Sequence, residues 1–408
     1  MGSMITLGIE NMEIDWGKNN VFIDHSPLFQ LSDIKQIPYY YVDYDTDKLV
    51  VEMKEGYAKK LSDVKQRLDL LGYTISNISI KYNALVEESL YHDSAVIDFN
   101  KFYNAIYSIN LNNVDLRRDS NGYVGFQEGC NGYDFGEYAR KCVLHDPEIK
   151  NKLSLENEWD VSYFLENIEV YIILRILAEN PVNENFELQW RIADVIEGGW
   201  VKPDDIVRPL SPEQKILVVT EGSSDSFIIR KTIDSLYSCV ADFFDFIDME
   251  SNYPFTGVGN LYNFCQGLAK IQILNRVLIV FDNDTAGVEK YKLAQKLKKP
   301  KNLHVCILPN CDEFENFDTV GPEGNNKSNI NGKAVSVECF LDFKDTSPYI
   351  RWTAYNKNMA QYQGEICPKD DLVRVFKSCD LNNDNYNNQK LKYLVDYLTK
   401  QMVDEFFG

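Results

Sequence analysis

No C-x-x-C pair occurs anywhere in this sequence, and its nine cysteines are scattered and odd in number. That spacing argues against a zinc site and a disulfide framework, and for a reducing compartment. No apolar run approaches the roughly 20 residues that a membrane-crossing helix needs. No secretory signal precedes the first strand-like segment, so a cytoplasmic protein with no membrane partner is expected. Basic residues are short too: 42 Lys and Arg stand against 62 Asp and Glu, a formal charge of −20. A protein that coats nucleic acid is disfavoured by that balance, because phosphate binding is driven by Lys and Arg. Three possibilities stay open: a small local basic groove, a basic partner subunit, and a site crowded with carboxylates that a divalent cation neutralises. No internal repeat is present.

What the chain does have is length and apolar content. Its 408 residues, 44% hydrophobic and 13% aromatic, suffice for two or three domains with sizeable cores. Residues 4–55 alternate like strands, as in Ile5-Thr6-Leu7-Gly8-Ile9 and Tyr39-Tyr40-Tyr41-Val42. From Glu55 to Gly72 the period becomes helical, with Leu61, Val64, Leu68 and Leu71 on one face. Residues 84–200 read as mainly helical, and Asp160–Glu179 is the clearest helix, stopped by Asn180-Pro181. Three prolines between Trp200 and Gln214 mark a linker. Strands are then expected at 216–219, 243–247, 276–281 and 304–308, with helices between them. That alternation predicts a parallel sheet covered by helices. Residues 310–334 read as a long loop, and 350–408 as polar and then helical.

Two segments place acidic residues where an apolar strand ends: Val218-Val219-Thr220-Glu221-Gly222-Ser223-Ser224-Asp225 and Val280-Phe281-Asp282-Asn283-Asp284-Thr285-Ala286-Gly287. In open α/β sheets the carboxyl edge is where ligands bind. Asp282 and Asp284 are two apart and point to one side of an extended strand end. Carboxylates that close raise each other's pKa unless a cation lies between them. Magnesium takes oxygen ligands and keeps several waters, so a few carboxylates and a substrate phosphate suit it. Glu221 faces the same crevice, and Asp225, one helical turn on, is a further ligand candidate.

These segments together resemble the TOPRIM domain shared by topoisomerases, bacterial primases and OLD-family nucleases. A Glu-Gly-x-x-Asp after the first strand is matched by Glu221 to Asp225, and an Asp-x-Asp-x-x-Gly after a later strand by Asp282 to Gly287. The glycine after the second strand is matched at Gly257-Val258-Gly259. The resemblance spans about residues 213–310, or to 345. It implies that Asp282 and Asp284 ligate Mg²⁺ or Mn²⁺, that Glu221 is a ligand or general acid/base, and that Asp225 is the extra acid of the nuclease-like branch. Asp312, Glu313, Glu315 and Glu338 are further ligand candidates. No tyrosine motif supports a topoisomerase, and no zinc module or basic template groove supports a primase.

A second candidate site lies in Glu137-Tyr138-Ala139-Arg140-Lys141-Cys142-Val143-Leu144-His145. Arg140 and His145 resemble the R-x4–6-H motif of HEPN ribonucleases, which act without metal and generally assemble their site between two copies. Lys141 departs from the Asn, Asp or His usual after the arginine. The alternative is a solvated Arg140 and a His145 near a helix C-terminus. Ile9-Glu10-Asn11-Met12-Glu13-Ile14-Asp15-Trp16 and Gln36-Ile37-Pro38-Tyr39-Tyr40-Tyr41 resemble the start of bacterial HEPN/Toprim-associated proteins, regarded as antiviral-defence effectors. The pairs Asp24-His25 and His92-Asp93 read as structural hydrogen bonds, and the cluster Lys296, Lys298, Lys299 and Lys301 as a solvated helix end.

The expected organisation is therefore three-part. Residues 4–205 form a mixed α+β, largely helical N-terminal domain. Residues 213–345 form an α/β, Rossmann-like TOPRIM domain around a central parallel sheet, and 346–408 a helical extension. The resemblance implies a metal-dependent nuclease acting on DNA or RNA, tRNA included, as a homo-oligomer or beside a partner subunit such as an ATPase. The alternatives are a metal-independent ribonuclease through Arg140 and His145, and a non-catalytic regulatory subunit.

Overall fold

A computed structural model describes residues 2–10, 12–43, 48–88, 98–113, 133–134, 167–247, 257–271, 273–344, 346–383 and 385–407. The Arg140/His145 motif, His92-Asp93 and the first part of the Asp160–Glu179 helix lie outside the described residues. The chain divides into two units, Met1–Leu210 and Ser211–Phe407.

In the first unit the alternating segments form β1 (Met4–Ile9), β2 (Met12–Lys18), β3 (Ile34–Asp43) and β4 (Lys48–Lys60), joined by β5 (Tyr133–Asp134) and β6 (Glu187–Arg191). Together they make a six-stranded sheet in the order β3-β4-β6-β1-β2-β5. Strand β6 corrects the expectation of a mainly helical stretch over 84–200. It sits between β1 and β4, antiparallel to both, and four of its five residues are buried. Helices α1 (Leu61–Leu70), α2 (Ile75–Glu88), α3 (Phe99–Tyr107) and α4 (Val170–Leu177) belong to the same unit, as do the short α5 (Ala193–Glu197) and α6 (Pro203–Ile206). Leu61, Val64 and Leu68 of α1 are fully buried, as their spacing predicts, and share a core with Ile5, Leu7, Ile172, Leu174 and Trp190. The Trp190 ring stacks on Phe29 with centroids 6.0 Å apart.

The second unit begins with β7 (Ile216–Val219), α7 (Ser223–Leu236), β8 (Phe244–Phe246), α8 (Val258–Lys270), β9 (Arg276–Phe281), β10 (Asn283–Asp284), α9 (Thr285–Gln295) and β11 (Leu303–Ile307). Strands β7, β8, β9 and β11 are parallel and lie in the order β11-β9-β7-β8. This is the parallel sheet with helices that the alternation predicts. Residues 277–281 of β9 are all buried, as suits a strand covered on both faces. From β7 the chain turns first to one neighbour, β8, and then crosses to the other, β9. The point between β7 and β9 is thus a topological switch point, with a crevice at the carboxyl ends of the strands.

Beyond this sheet the structure departs from the expectation. Residues 310–334 are not one loop: β12 (Phe317–Gly321) and β13 (Gly324–Ser328) pair as a hairpin. Short β14 (Ala334–Val335) pairs with β10. The segment expected to be polar and then helical opens with a second hairpin, β15 (Tyr349–Asn356) and β16 (Gln361–Cys367), whose first strand lies parallel to β12. Helices α10 (Lys369–Ser378) and α11 (Gln389–Phe407) follow. Among the described residues, no helix is long and apolar enough to cross a membrane.

Candidate metal centre at the sheet edge

Strand β7 is followed by the buried Thr220, whose hydroxyl lies 2.7 Å from the Ser226 hydroxyl and donates to the Gly222 carbonyl. This fixes the turn into α7 and leaves Glu221 at the strand's carboxyl end. Glu221 joins the two central strands: its Oε1 accepts from the Asp282 amide at 3.2 Å. Its own carbonyl accepts from the amide of Gly257. Gly257 has φ +86°, a backbone region that side chains disfavour, so the glycine noted after the second strand has a steric reason.

Asp284 stands at the start of α9 and accepts from the Gly287 amide through Oδ1 at 2.6 Å, a helix cap. Its Oδ2 accepts from Gln363 Nε2 at 3.0 Å. A Cβ on Gly287 would fall 2.0 Å from the Asp282 carbonyl oxygen, so the last residue of the Asp-x-Asp-x-x-Gly pattern must be glycine for backbone to meet backbone. Asp225 is buried in the first turn of α7, and its Oδ1 has no hydrogen-bond partner. Glu338, in the 3₁₀ turn after β14, is wholly buried and accepts from the Ser336 hydroxyl at 2.8 Å. Its Oε1 lies 2.9 Å from Lys369 Nζ in poor alignment for a hydrogen bond, so the contact is an ion pair.

Electrostatics bind these five carboxyls into one cluster. Burial, and then the Asp284 charge, push Glu221 up to about 8. Burial, and then the Glu338 charge, push Asp225 up to about 7. Asp282 is raised well above its ordinary range by burial, and then by Asp225, Glu221, Asp284 and Glu338. Asp284 rises to about 6 through burial, partly offset by the Gly287 and Ala286 amides that cap it. Lys369 is raised: burial works against its charge, and the Glu338, Asp225 and Asp282 carboxylates together outweigh burial. Buried like charges of this kind repel, and each oxygen without a partner carries a desolvation cost.

The donors are all oxygen, which suits a hard divalent cation. The unpartnered Asp225 oxygen is a free lone-pair site within the cluster. Among the described residues, no three His, Cys, Asp or Glu side chains converge on one point closely enough to ligate an ion in the rotamers they hold.

The structure brings Glu221, Asp225, Asp282, Asp284 and Glu338 within electrostatic reach of one another. Asp312, Glu313 and Glu315 instead sit exposed on a 3₁₀ turn. Lys299 of the basic cluster donates to the Ala294 and Gln295 carbonyls, closing the end of α9. His25 is buried and contacts Asp15 at 2.7 Å, not its sequence neighbour Asp24, which instead accepts from Ser26. Sequence reasoning missed Lys369 and Gln363, both from the segment read as a helical extension. The helix start at Lys369 is signalled by Pro368 before it and Asp370-Asp371 after it. No motif signals that its ammonium meets Glu338.

A family model, the HEPN/Toprim N-terminal domain 1, matches residues 1–214, more than half of the chain. The chain belongs to this family. No curated protein and no solved structure matches it. Family membership associates the chain with nuclease-related proteins. The match ends close to the boundary between the two units, so the carboxyl cluster lies beyond the matched residues.

Proposed function

We propose that the second unit is a TOPRIM domain and that the protein is a divalent-cation-dependent nuclease acting in bacterial antiviral defence. One observation carries the reading. At the switch point of a parallel sheet, carboxyls from β7, α7, the end of β9 and the turn after β14 sit together, partly desolvated and mutually repelling. Such clusters are costly to build and recur at functional sites. Glu221, Asp225, Asp282, Asp284 and Glu338 would hold Mg²⁺ or Mn²⁺ after side-chain rotation within the cluster. The bound ion supplies Lewis-acid polarisation of a phosphate and a nucleophilic hydroxide.

The chain's own residues have separable tasks. Glu221 would either ligate the ion as a carboxylate or, left off the ion, exchange a proton with water or a leaving oxygen, which its raised pKa in the metal-free site suits. Gln363 and the Gly287 amide orient Asp284 by occupying both of its oxygens. Lys369 brings a positive charge to a site otherwise of one sign, where it faces an incoming phosphate as well as Glu338.

The test is nucleic-acid cleavage by the full chain with Mg²⁺ or Mn²⁺, comparing wild type with Asp282→Ala and Glu221→Ala. Each variant is expected to lose activity by about 100-fold or more, the scale of removing an electrostatic element of catalysis. Unchanged cutting by both would remove the carboxyl cluster from the chemistry. The family match favours a second reading, a HEPN-type ribonuclease using Arg140 and His145. Cleavage that persists in EDTA and disappears in His145→Ala would establish it.

A further inference from the structure

Lys369 stands at the first position of α10, where the positive end of the helix dipole disfavours a cation. Its charge is therefore not placed there for the helix. The helix itself is anchored on α7, which carries Asp225 in its first turn. Lys231 of α7 donates to the Phe376, Lys377 and Cys379 carbonyls at 2.9, 3.1 and 2.8 Å, closing the far end of α10. Leu372 and Phe376 of α10 are buried, and Phe227 of α7 meets the Phe376 ring edge-on with centroids 6.1 Å apart. The backbone under Lys369 is thus fixed against an element that also supplies a carboxyl to the cluster.

The carboxyls fall into two groups around this ammonium. Glu221, Asp282 and Asp284 stand at the ends of the two central strands. Glu221 accepts from the Asp282 amide, and after burial the Asp284 charge acts on it most strongly. Asp225 and Glu338 form the other group: after burial, the Glu338 charge acts most strongly on Asp225. Lys369 Nζ lies 2.9 Å from Glu338 Oε1 and within electrostatic reach of Asp225. Asp225 also acts on Asp282 and Glu221, so it lies between the two groups, and its Oδ1 is buried without a partner.

We propose that the Lys369 ammonium takes the place of a second cation at this centre, so that each chain binds one divalent ion and not two; this rests on the proposed metal centre and narrows it. Two-ion sites place their ions about 3.5–4 Å apart across shared ligands. Here Glu338 Oε1 already has a cation at 2.9 Å, and a second ion would have to displace it. The surrounding carboxylates keep that cation protonated. The divalent ion is left to Glu221, Asp282 and Asp284, with Asp225 between the two positive charges. An ammonium is a compact point charge that can neutralise a phosphate, but it cannot lower the pKa of a bound water as a metal ion does. The two positive charges of the site are therefore not interchangeable.

The probe is Mn²⁺, titrated into the full chain after metal is stripped with EDTA and the chelator dialysed away. Bound ions are counted from the loss of the free-ion electron paramagnetic resonance signal. Wild type should bind one ion tightly per chain. Lys369→Met keeps the stem and removes the charge. It should bind a second ion at least about tenfold more tightly than wild type does. Its two ions, a few ångström apart, should show spin coupling that wild type lacks. Lys369→Arg should stay at one ion. A lysine with a structural role alone gives the opposite result, a Met variant that binds less Mn²⁺. Thermal midpoints check folding. If Lys369→Met does not fold, Glu338→Gln carries the test, and its count should remain one because that carboxyl serves the ammonium. Two tight ions in wild type, a folded Met variant with one ion or fewer, or loss of the ion from folded Glu338→Gln would each overturn the assignment of Lys369 and leave the metal centre standing. A wild type that binds no Mn²⁺ would overturn the metal centre itself, and the role of Lys369 with it.

Discussion

The two units treat buried charge in opposite ways. In the first, the buried Arg67, Lys59 and Arg175 each meet a complement. Arg67, fully buried, donates to the Pro27 and Phe29 carbonyls at 2.9 and 3.2 Å. Lys59 lies 2.8 Å from Asp33, and Arg175 holds Asp69 at 2.8 Å as well as Glu179. His25 meets Asp15. In the second unit, five acids share one crevice, and Lys369 is the ammonium paired into it. The first arrangement is what stability demands of a buried charge; the second lowers stability, and clusters of that kind recur at functional sites. Among the described residues, the contrast is between buried charges that are paired and buried charges that repel.

The contrast can be broken at its strongest point first. Trp190→Ala should destabilise the first unit by about 4 kcal/mol, since a buried indole that stacks on Phe29 is replaced by a cavity. Chemical unfolding followed by circular dichroism reads the loss. A cost near zero would mean that the sheet and α4 do not pack around this ring.

A smaller effect is expected at the ion pair of the second unit. Lys369→Met leaves the buried Glu338 uncompensated and should cost about 2 kcal/mol, less than a fully buried pair because the lysine is half-exposed. The double variant Lys369→Met/Glu338→Leu should recover most of that loss. If the single variant is as stable as wild type, Lys369 does not balance the cluster.

The dependence on pH is read by its sign rather than its size. Glu221, Asp225 and Asp284 have folded-state pKa values raised to about 8, 7 and 6. The folded state therefore binds protons more tightly than the unfolded chain does, and stability falls as pH rises from the ordinary carboxylate range through these values. A carboxylate in a salt bridge gives the opposite slope. In EDTA the thermal midpoint of the second unit should decline between about pH 5 and pH 8, and Mg²⁺ or Mn²⁺ should reverse the decline at the upper end. A flat or rising midpoint in EDTA would contradict the mutual repulsion inferred for the cluster.

Legibility in the sequence followed how local the signal was. Strands β7 and β9 and the helices after them were readable because continuous apolar runs and turn glycines sit within a few residues of one another. Hairpin β12–β13 was not, because Gly324–Ser328 carries no apolar alternation and its burial pattern is mostly exposed. Its identity as a strand comes from pairing with β12, which itself lies beside β15 from some 30 residues later. Strand β6 was likewise read as part of a helical stretch. Five residues are too few to show a period, and its place was fixed by the gap between β1 and β4.

The order and chemistry of the acidic residues at two strand ends, and the parallel sheet that carries them, were written in the sequence by itself. Short-range periodicity and glycine positions dictate both. Only the tertiary structure decided that Glu338 and Lys369 join that edge and that Gln363 holds Asp284. Those neighbours come from distant segments, and charge repulsion and burial exist only once packing has removed the water between them.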